Sequence, residues 1–185
     1  MKNELHNIIS GKGTVRFGTI IQPIASYLNN STPTGSEPEN AKQRREQETK
    51  RLEEYVFQNN LWITDIDFSQ YVSEGAEQKV YLKDADHVIK LNDAIYYSSW
   101  RDYFYNLLLH NFFFPDTAYD LKGFTREDNI LYAVVQQSYV SVTGHTNLNQ
   151  VKLFLAANSS KTSETTTIKT RTLELYWKIY TTKMS

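Results

Sequence analysis

The segment that decides the fold is Ser73–Leu91, SEGAEQKVYLKDADHVIKL. Two runs rich in β-forming residues, Tyr71–Gly75 and Gln78–Leu82, flank a tight turn, and a third run, His87–Leu91, follows after a loop. Short β-branched and aromatic runs bounded by Gly, Asp and Ser are typical of strands joined by turns. The segment therefore predicts three successive antiparallel strands, with Lys90 near the end of the third.

The turn and the lysine have the chemistry of phosphate recognition. Gly75 and Ala76 leave the backbone N–H groups of the turn uncrowded, and such groups bind phosphate oxygens at close range. Lys90 adds a positive charge on a stem long enough to reach the same oxygens. Val80 and Val88, on the two flanking strands, would cover a flat base. The alternative is an ordinary β-hairpin with a lysine in solvent, because the turn contains only one glycine.

An aromatic segment follows the third strand. Apolar residues recur at helical spacing from Tyr96 to His110. Asp93 is predicted to cap a helix that begins at Ala94, and Asn111 and Pro115 are expected to end it. The other predicted strands are Leu61–Asp67, Ala118–Phe124 and Asn129–Gln137. This order of elements favours an α+β fold, with an antiparallel sheet of about five strands and one packed helix.

The first 60 residues differ in composition from the segment that follows. Thr19–Leu28 has helical spacing, residues 29–40 are rich in Pro, Ser, Thr and Asn, and Ala41–Asn59 predicts a charged surface helix. We therefore expect a helical N-terminal extension over residues 1–60 with a linker at 29–40. The sheet domain is expected over 61–150, and residues 151–185 form a tail that is rich in Ser and Thr.

Bulk composition excludes several classes of function. The net charge is −1, which gives no field to attract nucleic acid. There are no cysteines, which excludes disulfides and thiolate metal sites and fits a cytoplasmic protein. The four histidines show no metal-ligand spacing, so no metal site is expected on the chain. No apolar run is long enough to span a membrane.

Three segments carry a family resemblance: YVSEGAEQKVYL (Tyr71–Leu82), HVIKLNDAIYYSSWRDYFYNLLLHNFFFPDTAYDLKGF (His87–Phe124) and LYAVVQQSYV (Leu131–Val140). They resemble the kinase-like domain of bacterial polyvalent proteins, a family associated with mobile genetic elements. Gly11–Leu28 looks like the leader that often precedes it. The resemblance covers about three quarters of the chain. It implies a protein-kinase N-lobe-like sheet, ATP with Mg²⁺ as cofactors, and phosphoryl transfer to a Ser, Thr or Tyr hydroxyl.

The resemblance assigns roles to residues. Gly75 and Ala76 correspond to the phosphate turn and Lys90 to the phosphate clamp. Gln136, Gln137 and Ser138 correspond to the hinge that hydrogen-bonds adenine. Kinases hold the clamp lysine with a carboxylate on the following helix. The two candidates for that partner are Asp102, in the predicted helix, and Glu77, in the turn.

The tail departs from the family after about residue 158. A kinase catalytic loop needs an Asp with an Asn five residues later, and a second metal-binding Asp, and neither is readable here. Leu173–Ser185, LELYWKIYTTKMS, can encode GIILEDLHDENV in the neighbouring frame, which restores that spacing. The tail is therefore interpreted as frame-shifted translation of a lost lobe. No catalytic or metal-binding residue is assigned, and the chain is expected to be a truncated, inactive ATP-binding module.

A rival hypothesis belongs to another class of function. The chain is then a non-catalytic α+β interaction module of a mobile element, and Lys90 is ordinary surface charge. Aromatic residues are dense between Tyr96 and Phe114. Most are expected in the core, and an exposed remainder would mark a surface for a protein partner.

Overall fold

A five-stranded antiparallel sheet, in the order β1-β2-β3-β5-β4, is the centre of the fold. The computed structural model describes residues 2–30, 40–139 and 149. Five predicted strands are confirmed to within three residues at each end, because turn residues bound each apolar run. Their bounds are β1 Tyr71–Glu74, β2 Lys79–Leu82, β3 His87–Asn92, β4 Asp120–Glu127 and β5 Ile130–Ser138.

The predicted strand Leu61–Asp67 is wrong. Only Trp62 forms a bridge, in parallel orientation to Phe124 on β4. The segment then enters a short 3-10 turn at Phe68–Gln70, where the Asp67 carboxylate accepts the Ser69 N–H at 3.0 Å. Asp67 therefore promotes a turn at the point where a continuing strand would need extended backbone.

The described α-helices are α1 Lys2–Ile9, α2 Gly18–Asn30, α3 Ala41–Gln58 and α4 Trp100–Phe113, and a second short 3-10 turn follows at Pro115–Thr117. The helical segment before the sheet is thus confirmed, as is the single helix between β3 and β4. Asn40 caps α3 by accepting a hydrogen bond from the Gln43 N–H at 3.0 Å.

The predicted start of α4 is wrong, and of the two predicted end signals Pro115 is confirmed and Asn111 is wrong. The cap is Ser99, whose hydroxyl oxygen accepts the Asp102 N–H at 3.0 Å. Asp93 instead accepts the Ile95 N–H within a turn. At the other end, Asn111 lies inside the helix, where its amide bonds backbone groups of other segments. An asparagine satisfied by tertiary partners does not end a helix, and α4 continues to Phe113.

One hydrophobic core joins the helices to a single face of the sheet. α2, α3 and α4 bury their apolar stripes together with residues of β4 and β5. The largest fully buried side chains of this core are Ile8, Ile21, Ile24, Leu28, Leu52, Val56, Trp100, Phe104, Leu108, Leu121 and Phe124. The predicted surface helix α3 therefore contributes Leu52 and Val56 to the core. A smaller cluster on the other face contains Tyr81, Leu91, Tyr132 and Val134.

The chain divides into two units, Met1–Tyr139 and Val140–Ser185. Residues 1–60 and the sheet thus belong to the same unit. Apart from Asn149, the second unit lies outside the described residues, and so do the predicted tail and its proposed change of frame. Within the ranges that are described, no helix is both long and apolar enough to cross a membrane.

Candidate functional site

A row of four side chains crosses the sheet on the face that packs against α4. Val80 on β2 lies opposite Lys90 on β3, which lies opposite Val135 on β5, which in turn lies opposite Leu121 on β4. Directly opposed residues in antiparallel strands point to the same face. Val135 and Leu121 belong to the core beneath α4. The row therefore directs Lys90 toward the helix side of the sheet.

Lys90 lies against an aromatic ring. Its Nζ is 5.3 Å from the centre of the Tyr119 ring, within cation–π range. Burial lowers the pKa of Lys90 to about 8, because an apolar environment disfavours the charged amine. The ion pairs found within residues 2–30 and 40–139 do not include Lys90. The lysine is thus positioned by the sheet and by a neutral ring.

Two further tyrosines adjoin this face. Tyr97 and Tyr103 contact each other edge to face, with ring centres 5.2 Å apart. Burial raises the pKa of both phenols well above its usual range, and the nearby Glu77 carboxylate adds to the effect. Both phenols are therefore neutral at physiological pH. They can donate hydrogen bonds but they add no negative charge.

The turn between β1 and β2 reaches toward the same tyrosines. Glu77 accepts a hydrogen bond from the Tyr97 hydroxyl at 3.3 Å. The turn is closed by the Gly75 N–H, which donates to the Gln78 carbonyl at 3.1 Å. Gly75 is partly buried and Ala76 is exposed. The predicted phosphate turn is thus next to the Lys90 face, and its acidic residue is directed toward the tyrosines.

Asp102, the other candidate partner of Lys90, lies in the first turn of α4. Its carboxylate accepts hydrogen bonds from the hydroxyl of Ser98 at 3.0 Å and from the Ser98 N–H at 3.4 Å. These contacts are typical of the N-terminus of a helix, where a carboxylate also complements the helix dipole. The structure therefore brings Glu77, rather than Asp102, toward the tyrosines of the Lys90 face.

The predicted hinge residues lie at the end of β5. Gln136 is paired with Ile89 on one side and with Asp120 on the other, whereas Gln137 and Ser138 have partners only on β3. Gln137 lies opposite Val88, two residues before Lys90, so its side chain shares the Lys90 face. It donates to the Thr117 carbonyl at 2.6 Å. Of the three hinge candidates, Gln137 therefore has its side chain on this face.

A buried histidine, His110, packs against the ring of Tyr119. His110 Nε2 lies 2.9 Å from the Thr117 carbonyl, which can only accept, so this nitrogen carries the proton. Its ring centre is 4.5 Å from that of Tyr119. Burial, with a contribution from the Lys90 charge, lowers the pKa of His110 to about 4. Nδ1 is buried without a hydrogen-bond partner among the described residues.

Helix α3 fixes the N-terminus of α4. The buried Glu48 carboxylate accepts the Arg101 N–H at 3.1 Å. Thr49 accepts from the Trp100 indole N–H at 2.8 Å, and Arg45 donates to the Tyr97 carbonyl at 2.7 Å. The helix that covers the Lys90 face is therefore held by side chains from outside the sheet.

Neither Tyr119 nor Thr117 stands out in the sequence, and His110 is noted there only as the end of the predicted aromatic helix. Tyr119 precedes β4 and His110 is in the last turn of α4. Neither belongs to the segment that contains Lys90, and only tertiary packing brings them to it. No spacing rule connects them. The signal that could have identified them is a buried polar pair close to the predicted lysine, and this signal is visible only once the fold is known.

The family resemblance implies ATP and Mg²⁺ as cofactors, and the described residues suit the nucleotide better than the metal ion. A partly buried amine beside an apolar row and a turn suits a nucleotide phosphate. In the parts of the chain that the structure describes, no three acidic, histidine or cysteine residues cluster so that they could hold a metal ion. We therefore assign no Mg²⁺ ligand to these residues.

The fold and the lysine face define a protein-kinase-like class, in which a lysine on the third strand follows a turn and precedes a helix. The model of the family described as serine/threonine/tyrosine kinase found in polyvalent proteins matches residues 45–178. The chain therefore belongs to this kinase family. The match begins inside α3 and continues past residue 158. No curated protein and no solved structure matches the chain.

Proposed function

We propose that this chain binds ATP at the Lys90 face as the N-lobe half of a kinase site. The observation that supports this best is that Val80, Lys90 and Gln137 share one face of the sheet beside the β1–β2 turn. The family membership supports kinase-like function in general. Val80 would contact the base, and Lys90 would contact the phosphates.

Each residue has a separate task in this proposal. The backbone N–H groups around Gly75 and Ala76 approach phosphate oxygens, as in other phosphate-binding turns. Lys90 supplies a cation that becomes fully protonated when a polyanion binds, because the phosphate charge raises the pKa of a nearby amine. The end of β5, at Gln137 and Ser138, offers backbone groups to the base edge. Bound Mg²⁺ would neutralise phosphate charge.

The test is the thermal stability of the whole chain with and without Mg-ATP. A ligand at a hundred times its dissociation constant stabilises the native state by about 2.7 kcal/mol. We expect the melting temperature to rise with Mg-ATP and the rise to disappear in Lys90→Ala.

The matched control is Lys79→Ala. Lys79 is on the neighbouring strand, pairs with Leu91, and bonds Glu127 at 2.7 Å on the other face of the sheet. This variant should keep the nucleotide-dependent rise even if its basal stability falls. Equal rises in wild type and Lys90→Ala, or none in wild type at millimolar nucleotide, would remove the proposal.

Phosphoryl transfer is a separate matter from binding. The catalytic-loop Asp and Asn are not readable in the 185 residues, and loss of such co-acting groups lowers the rate by many orders of magnitude. We propose that this polypeptide binds nucleotide without transferring phosphate. The change of frame near residue 159 is a separate proposal. The family match, which runs to residue 178 in the printed frame, counts against it, and the coding DNA beyond codon 150 tests it.

A second candidate function is a protein-interaction module. All four residues of the edge strand β1 are exposed. Tyr71 and Phe68 remain 52% and 42% exposed although their rings contact Tyr81. Within the dense aromatic segment, Tyr96 is exposed while Trp100 is buried. The exposed β1 edge with Phe68 and Tyr71 is the candidate surface for a protein partner, and an absence of any nucleotide effect would favour this function.

A further inference from the structure

The proposed function rests on Lys90. A separate question is which group holds the Lys90 ammonium in position. Protein kinases hold this lysine with a carboxylate from the following helix. Here the contact that the structure gives Lys90 is the face of Tyr119, 5.3 Å from Nζ. The acidic residue of α4, Asp102, contacts Ser98 at the start of the helix.

We propose that Tyr119 is the positioning residue for Lys90, and that its ring face takes the place of the helix carboxylate as the support for the ammonium group. The inference rests on the proposed function for its biological meaning. The contact itself is a property of the nucleotide-free chain.

The Tyr119 ring is fixed from two directions. The Gln137 side chain interacts with its hydroxyl and lowers the phenol pKa, against the larger effect of burial, and Gln137 donates to the Thr117 carbonyl at 2.6 Å. The His110 ring packs against it at 4.5 Å, while His110 Nε2 bonds the same Thr117 carbonyl at 2.9 Å. A ring held at its hydroxyl and at its side presents a constant face. A rigid face can fix the position of the flexible lysine stem.

The surroundings favour a neutral support. Lys90 lies near Tyr119 and His110. Tyr119 in turn lies near Tyr97, Tyr103 and Glu77, whose carboxylate accepts a hydrogen bond from the Tyr97 hydroxyl. Burial raises the pKa of the three phenols and lowers that of His110, so these four groups are uncharged at neutral pH. In such an environment a ring quadrupole attracts a cation without the desolvation cost of a buried carboxylate.

The experiment compares Tyr119→Phe with Tyr119→Leu. Phenylalanine keeps the ring face and loses the hydroxyl, whereas leucine removes the ring. The first readout is the Lys90 pKa in nucleotide-free protein, measured by NMR of the ¹³C-dimethylated amine. A ring face favours the ammonium form, so we expect Tyr119→Leu to lower this pKa and Tyr119→Phe to leave it near the wild-type value.

The second readout is Mg-ATP affinity as a function of pH. Tyr119→Leu should weaken binding by about two- to thirty-fold, the range that corresponds to a cation–π contact, and should shift the pH profile. Tyr119→Phe should remain within about two-fold of wild type. Equal Lys90 pKa values in wild type, Tyr119→Phe and Tyr119→Leu would overturn the inference.

Two further arms keep the test decisive. If Tyr119→Leu does not fold, phenylalanines with increasing fluorination at position 119 keep the shape and weaken the ring quadrupole stepwise. The Lys90 pKa should then fall with each fluorine, and a constant pKa would refute the inference. If the wild type binds no nucleotide, the proposed function fails, whereas the Lys90 pKa series still decides the role of Tyr119.

Discussion

At the scale of single residues, the Lys90 face combines two bases whose pKa values are both lowered by burial. Lys90 is lowered to about 8 and His110 to about 4. The Lys90 charge makes protonation of His110 less favourable, because two like charges would then lie in one apolar region. The neutral His110 therefore makes it easier for Lys90 to keep its charge.

His110 makes the stability of the fold sensitive to acid. Its pKa falls from 6.5 in the unfolded chain to about 4 in the folded one. Its contribution to stability is fully present above pH 6.5 and is lost as the pH falls toward 4, where the unfolded chain binds the extra proton. We expect the free energy of unfolding to fall less across this window in His110→Gln than in wild type, and the difference between the two losses should reach about 3 kcal/mol.

The measurement is urea denaturation at a series of pH values. Glu48, whose pKa is raised mainly by burial, affects the same acid range in the opposite direction. Glu48 is present in both proteins, so its effect cancels in the difference between their stability curves. Parallel stability curves for wild type and His110→Gln would contradict the assignment of His110 as a buried neutral base.

At this scale the sequence predicts the β-forming runs that contain Val80 and Lys90 as successive strands. The register that places these two residues opposite each other is known only from the structure. Tyr119 and His110 could not be found from the sequence. They come from the approach to β4 and from the last turn of α4, and packing alone brings them together.

At the scale of elements, strands were easier to predict than helix ends. Turn residues delimit each strand of the sheet, whereas the start of α4 depends on a competition between Asp93 and Ser99. Ser99 is the cap because tertiary contacts select it. Glu48 and Thr49 of α3 bond the first residues of the helix, Arg101 and Trp100, and that preference is invisible in the local sequence.

The contact between α3 and α4 gives a prediction for the element scale. Glu48 is 2% exposed, and its carboxylate accepts the Arg101 N–H. Glu48→Ala removes the carboxylate that accepts the Arg101 N–H, so this N–H loses its acceptor. We expect a loss of about 1–3 kcal/mol in the free energy of unfolding, measured by chemical denaturation.

The control for this prediction is Glu54→Ala, on the exposed face of the same helix. It should change stability by no more than about 0.5 kcal/mol. If Glu48→Ala and Glu54→Ala cost the same, α3 does not hold the N-terminus of α4 through Glu48.

At the scale of the whole molecule, the first 60 residues and the sheet share one hydrophobic core. Ile21 and Leu28 of α2 pack in the same cluster as Phe104 of α4 and Leu121 of β4. The change in composition near residue 60 predicted a boundary between segments. It could not show that apolar stripes on both sides of that point bury one another.

The central claim is that nucleotide occupies the Lys90 face of this assembled chain. Its most direct test is competitive acylation of lysines, followed by mass spectrometry, with and without Mg-ATP. With nucleotide at ten times its dissociation constant, acylation of Lys90 should slow on the order of tenfold by occupancy of the site. Lys79, on the opposite face, should react at an unchanged rate. Equal rates of Lys90 acylation with and without Mg-ATP would contradict the claim.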